Sequence, residues 1–212
     1  AVLGFVILFS VVGPLFVNKD DSLLGAFEPE QRPFWVKESE KSTIKSDGLP
    51  HIFGTDLQGR DIFTVLIFAG TQTLIVGALT GIISLGFGAL MGVIAGFMPG
   101  RVDNIIRFFS DVLVAIPAIA FLMVFVARLQ DPSIYVISFS IACLAWPGTA
   151  RAIRSQVLTL RERQYIAIAR SNGEREIEVL FREVLPNIFP LMLAQFIGAV
   201  NGGIGTAMAL EV

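Results

Sequence analysis

Residues 62–100 read IFTVLIFAGTQTLIVGALTGIISLGFGALMGVIAGFMPG, 39 positions without one Asp, Glu, Lys, Arg or His. About 20 consecutive apolar residues cross the hydrocarbon core of a bilayer. The stretch therefore holds a full span, Thr71 to Met98, with Ile62 to Gly70 as a short apolar approach at the interface. The same pattern recurs outward on both sides. Ala1 to Val17, Phe108 to Ala127, Pro132 to Ala150 and Leu185 to Leu210 are the other apolar runs, which makes five spans. Ala1 already stands inside an apolar run, so the first helix is expected to begin before it, and a sixth helix is expected beyond Val212. Only 16% of the residues are charged and mean hydropathy is +0.71, whereas a soluble domain is about 25% charged. The expected fold class is an all-α polytopic membrane protein.

Charge is confined to the connections. The loop from Asn18 to Asp61 holds every lysine, Lys19, Lys37, Lys41 and Lys45, and many of the acids. Residues 151–183 carry Arg151, Arg154, Arg161, Arg163, Arg170, Arg175 and Arg182. The Lys/Arg bias of short loops and span ends sets orientation, so this arginine segment is expected on the cytoplasmic side and loop 18–61 outside. A net charge of −2 gives no pull toward nucleic acid. Cys143 is the only cysteine and reads as a small buried apolar residue. His51, the only histidine, lies in the polar loop without companions at metal-ligand spacing. No phosphate-binding GxxxxGK[ST] motif appears, so neither a catalytic site nor a nucleotide or metal site is expected in this chain.

Residues 165–186, YIAIARSNGEREIEVLFREVLP, interrupt the apolar pattern. On insertion scales each arginine at a span centre costs about 2.5–3.5 kcal/mol, so the seven of this segment keep it out of the bilayer. Ser171-Asn172-Gly173 reads as a helix stop, with Gly173 suited to the left-handed cap. Ile177, Leu180, Phe181 and Val184 then recur at helical spacing, and Glu178 with Arg182 forms an i,i+4 pair. Pro186 is expected to end this second helix or redirect it into the last span. Two short helices at an angle follow, either a hairpin that seals the bundle or a docking element.

The stretch resembles the cytoplasmic coupling loop, or EAA loop, of ABC importer permeases. That pattern is Glu-Ala-Ala, three residues, Gly, then an interval to Leu-Pro, and Ala169, Gly173, Leu185 and Pro186 stand at the matching places. WPGTARAIRSQVLTLRERQYIAIAR (Trp146 to Arg170) is similar to the approach in dipeptide, oligopeptide and nickel permeases. HIFGTDLQGRDIFTVLIFAGTQTLIVG (His51 to Gly77) resembles the lead into their second helix, and its GTD and GRD point to the C-type (DppC/OppC-like) subunit. The resemblance implies a type I importer transmembrane domain with a permease core over 71–212. It implies a coupling loop over 151–186 that docks on ATPases through Arg163, Gln164, Tyr165, Ala167, Ala169, Arg170, Gly173, Leu185 and Pro186. It also implies a second permease subunit, two ATPases that bind ATP and Mg, an extracytoplasmic substrate-binding protein, and peptides as cargo, with nickel or oligosaccharides as alternatives. The chain departs from the pattern at Ala167, where the family has Glu, and at Ile168, where it has Ala.

Small residues mark two spans. Gly77, Gly81, Ser84, Gly88, Gly92 and Gly96 share one arc of the second span, suited to helix packing or to a sliding surface. Ala194, Gly198, Asn201, Gly202, Gly205 and Ala209 share one side of the last span, where Asn201, and less so Gln195, serves a translocation path or an interhelical bond. Arg107 and Asp111 are expected to pair along their own helix, and Pro117 and Pro147 to kink theirs. A stand-alone secondary transporter would carry charge at mid-span, and an intramembrane enzyme would carry His or paired Asp there. The spans hold neither.

Overall fold

The computed structural model describes residues 10, 12–27, 29–31, 33, 51–130 and 132–210. Among the described residues six long or functionally placed α-helices carry the fold: α1 (Ile62–Phe97), α2 (Arg101–Ala115), α3 (Ala118–Ala127), α4 (Ile134–Arg161), α5 (Gln164–Ser171) and α6 (Glu176–Leu210). Among the described residues there is no strand, only an isolated bridge between Thr55 and Asp61. Residues 1–74 and 75–212 form two compact units, and α1 runs through the division.

In the first unit the polar loop folds back on itself before the membrane helix starts. Gly25, Phe27 and Glu30 donate their N–H groups to the carbonyls of Gln58, Gly59 and Asp56, at 2.8, 2.9 and 3.1 Å. Gly59 has φ +71°, and a Cβ there would stand 2.2 Å from the Phe27 carbonyl oxygen, so only glycine fits. The two aspartates of GTDLQGRD divide the work. Asp56 accepts the N–H groups of Gln58 and Arg60 at 2.8 and 2.9 Å and the Arg60 Nε–H at 2.8 Å. Asp61 caps α1, accepting from Thr64 N–H at 2.9 Å and Thr64 Oγ1–H at 2.7 Å. Its other oxygen lies 3.2 Å from His51 Nδ1, and the Phe27 ring packs edge-on against that imidazole. His51 is thus buried beside the helix cap.

Ile62 to Gly70 is not a separate piece, because α1 runs unbroken through it for 36 residues. That is about 54 Å at 1.5 Å per residue, longer than a hydrocarbon core of about 30 Å. Thr71 Oγ1 donates to the Ser10 carbonyl at 2.5 Å, which holds residue 10 beside the early turns of α1. Most of the expected first span, 1–17, lies outside the described residues.

In the second unit the glycine arc of α1 meets two helices. A Cβ on Gly77 would stand 2.6 Å from Ile204, and one on Gly81 2.6 Å from Val200, both on α6. Lower on the arc the neighbour is α4, with Thr149 at 2.8 Å from Gly88, the Ala150 carbonyl at 2.6 Å from Gly92 and Val157 at 2.8 Å from Gly96. These glycines let backbones approach where lipid gives no hydrophobic push. The core then gathers Ala89, Val93, Ile153, Val157 and Leu160 with Ile166, Val179, Val184 and Ile188.

The expected third span is broken. α2 and α3 meet at 71° around Ile116 and Pro117. Proline disfavours helical backbone at the preceding residue, and Ile116 is extended at φ −77°, ψ 127°. Pro147, by contrast, sits buried inside an α4 that does not stop at Ala150 but continues to Arg161. Arginines on that extension are paired across to α2. Arg154 grips Asp103 with Nε and Nη2 at 2.5 and 2.6 Å, and Arg151 Nη2 reaches Asp111 at 2.7 Å. Asp111 therefore pairs between helices, not with Arg107 on its own, because α4 brings a guanidinium alongside. Cys143 is exposed rather than buried, facing an apolar cavity of about 770 Å³ between α1, α2 and α4. Among the described residues three helices are long and apolar enough to cross a membrane, or four if the bent pair is one span, against the five expected.

Two outcomes follow from these contacts. Gly92→Leu should destabilise the detergent-solubilised protein by about 1–3 kcal/mol through overpacking. Gly86→Leu, with nothing within 4 Å, should not, and thermal unfolding compares the two. In the loop, the Arg60 N–H above all, with the Arg60 side chain and Gln58 N–H, holds the Asp56 carboxyl below its ordinary value. Its contribution to stability is therefore complete above the ordinary carboxylate range and is lost as pH falls through the depressed folded value. Amide protection factors at Gln58 and Arg60 should fall in acid, and Asp56→Asn should abolish that dependence.

Candidate coupling segment

α4 ends at Arg161, and after two residues α5 begins. The Arg163 carbonyl accepts the N–H groups of Ile166 and Ala167 at 3.1 and 3.3 Å, which tightens the first turn. Ile166 and Ala169 turn inward into the core. At the other end Asn172 N–H donates to the Ile168 carbonyl at 2.9 Å and Glu174 N–H to the Ala169 carbonyl at 3.2 Å. Gly173 between them has φ +84°. This is a Schellman stop, with glycine in the left-handed position.

The chain restarts at once. Glu178 Oε2 accepts the Arg175 N–H at 3.2 Å and so caps α6. Glu178 is committed to that cap, and no ion pair joins it to Arg182. Leu180–Val184 is a π-turn, in which the Leu185 N–H reaches back five residues to the Leu180 carbonyl. The widened turn precedes Pro186, whose ring crowds the carbonyl four residues back and which has no N–H to give. Pro186 consequently neither ends the helix nor divides it from the last span, and α6 runs on to Leu210.

The extra residue in the π-turn also changes the phase of the helix. Val179, Val184 and Ile188 are fully buried, at steps of five and four. Ile177 and Phe181, expected on the inner stripe with Val184, are 63% and 64% exposed. Ile168 on α5 is 61% exposed, and Tyr165 is also exposed. The segment therefore has a pinned inner side and an outer side carrying four uncovered large side chains. Arg163, Gln164 and Ala167 are exposed alongside them, Pro186 is exposed and Leu185 half-buried. The Arg170 side chain lies outside the described residues. Glu174 buries its Oε2 without a hydrogen-bond partner, a feature that residue pattern alone did not single out.

The remaining candidates lie along α1 and α6. Gly77, Gly81, Gly88 and Gly92 form the helix contacts described above. Among the described residues α6 is the least covered long helix, with 11% of its apolar stretch buried against 39% in α1 and 44% in α4. Asn201 is exposed on its open side, where Gly198, Gly202 and Gly205 have nothing within 4 Å, and Gln195 is half-buried. Among the described residues no group of three His, Cys, Asp or Glu could hold a metal ion.

Residues 88–212, which include α4, α5 and α6, match the family described as binding-protein-dependent transport system inner membrane component. The chain is 32% identical over 211 residues to the dipeptide transport system permease protein DppC of Alkalihalophilus pseudofirmus, covering 98% of this chain and 64% of that one. It is 30% identical over 161 residues to the oligopeptide transport system permease protein OppC of Lactococcus lactis subsp. lactis, covering 76% and 55%. The OppC of Bacillus subtilis is 28% identical over 190 residues, covering 88% and 56%. The chain thus spans between half and two thirds of the length of these curated relatives. With apolar membrane-length helices and a family match over more than half its residues, the chain is a multi-pass membrane protein that belongs to the binding-protein-dependent transport system inner membrane components.

Proposed function

We propose that this chain is the C-type permease subunit of an ABC importer that carries dipeptides or oligopeptides across the cytoplasmic membrane. The observation that carries the reading is the two-sided segment from Arg163 to Pro186. Its inner residues, Ile166, Ala169, Val179 and Val184, are packed into the membrane bundle. Its outer residues, Tyr165, Ile168, Ile177 and Phe181, are large, apolar and uncovered within an arginine-rich stretch. Exposed apolar side chains rimmed by charge mark protein contacts.

In this reading the outer side docks on an ATPase in the cytoplasm, and ATP with Mg is bound there rather than by this chain. Ala167 stands where the family has Glu, so apolar contact replaces one charge-assisted contact, and exposed Arg163 supplies polar ones. Because α6 joins the docking segment to the last span without a break, ATPase movement reaches the membrane as displacement of a rigid rod. The open small-residue side of α6 around Asn201 then faces a second permease subunit across the path. Residues 1–17 supply the first of five spans, 71–212 the permease core, and loop 18–61 lies outside, within reach of a substrate-binding protein. Peptide cargo is supported by the peptide-transport names of the relatives.

Co-purification tests the docking. Affinity-tagged full-length protein should elute with an ATPase, and the double variant Ile168→Asp/Phe181→Asp should reduce that recovery at least tenfold without loss of membrane insertion. Gly173→Trp should leave the assembly intact but abolish ATP-driven peptide uptake at undiminished ATP hydrolysis. Normal recovery in the double variant, or normal uptake in the Trp variant, refutes the docking role. Uptake of nickel or an oligosaccharide instead of peptide by the reconstituted assembly refutes the cargo.

A further inference from the structure

A second charged site lies ahead of the two-sided part of the coupling segment that starts at Arg163, on the crossing of α2 with α4, where α4 contributes Arg151 and Arg154. Arg107, Asp111, Arg151 and Arg154 line a cavity of about 390 Å³. On α2, Asp103, Arg107, Ser110 and Asp111 share the face that meets α4. Both Asp103 oxygens are taken by Arg154 and one Asp111 oxygen by Arg151. Among the described residues Arg107 makes no close ion pair, although its charge also acts on Asp103, so three guanidinium groups share two carboxylates and the cluster keeps one net positive charge. Isolated charge at a membrane helix is costly unless it is paired or reaches the headgroup layer.

The surroundings are apolar. Ile105, Phe108 and Phe109 beside Arg107 are all more than half exposed. The neighbouring face of α2 lines the cavity of about 770 Å³ with Ile106 and Phe109 from α2, Phe87 from α1, and Phe139 and Trp146 from α4. A charged cavity and an apolar one thus flank the same helix, close to the turn where the chain leaves α1. That combination matches one class of ligand, with a phosphate on a hydrocarbon chain. Guanidinium groups suit phosphate through paired N–H donors, and basic pockets between membrane helices take anionic headgroups.

We propose that Arg107, with Arg151 and Arg154, binds the phosphate of an anionic phospholipid, whose acyl chain lies along the apolar face of α2. The site rests on residence in the membrane and on this geometry, and stands whether or not the coupling role above does.

Native mass spectrometry of the full-length protein in its purified assembly tests it, with dioleoylphosphatidylglycerol, dioleoylphosphatidylcholine and inorganic phosphate as probes. Phosphatidylglycerol should be retained more tightly than phosphatidylcholine. Arg107→Gln should weaken phosphatidylglycerol alone by about fivefold, and Arg107→Lys should keep most of the preference. Arg101→Gln, at an exposed residue outside the cavity, should change nothing. Equal retention of the two lipids overturns the proposal, as does an unaltered Arg107→Gln variant or an equal loss in Arg101→Gln. Displacement of phosphatidylglycerol by equimolar inorganic phosphate overturns the lipid as the source of the anion.

Discussion

The distance between backbones along Gly88, Gly92 and Gly96 is the constraint on which the second unit rests. At Gly92 a Cβ would meet the Ala150 carbonyl oxygen, so α1 and α4 touch main chain to main chain. That closeness places Ile153, Val157 and Leu160 against Ala89 and Val93. The same patch receives Ile166 and Ala169 from α5 and Val179, Val184 and Ile188 from α6. The platform for the coupling segment is therefore set by glycine on a different helix. The segment's position is inherited from membrane packing and owes little to its own short turns, since an isolated helix of eight residues is not stable in water.

Charge plays the complementary part. α4 leaves its apolar run and continues as a helix through Arg151 and Arg154 because α2 offers Asp111 and Asp103 at the right height. Paired in this way, the arginines extend the rod beyond the greasy region. The apolar seam and the ion-paired seam lie on the same helix, so α4 is fixed along most of its length while α6 stays largely uncovered.

Much of this was legible in residue pattern. The charge-free run at 62–100 announces α1, and Ser171-Asn172-Gly173 announces the stop that Gly173 makes at φ +84°. The glycine arc was legible as a close-approach surface, though not that its upper and lower parts meet different helices. What escaped was nonlocal or depended on phase. An i,i+4 rule sees one helix only, and so it joins Asp111 to Arg107 when the stronger partner comes from α4. A bend at Pro117 was legible, but its size was not: the backbone restriction before the proline parts the span into two helices bent by 71°. A uniform period of 3.6 residues places Ile177 and Phe181 with Val184, and it has no means of counting a π-turn.

That turn makes the outer surface of the coupling segment a matter of winding rather than of composition. Each residue advances an α-helix by about 100°, so one additional residue between Val179 and Val184 swings everything before it by slightly more than a right angle. Ile177 and Phe181 face outward on that account. A helix shorter by one residue there would keep nearly the same chemistry and offer a partner a different side, which makes chain length at this turn as much a determinant of recognition as any side chain on it.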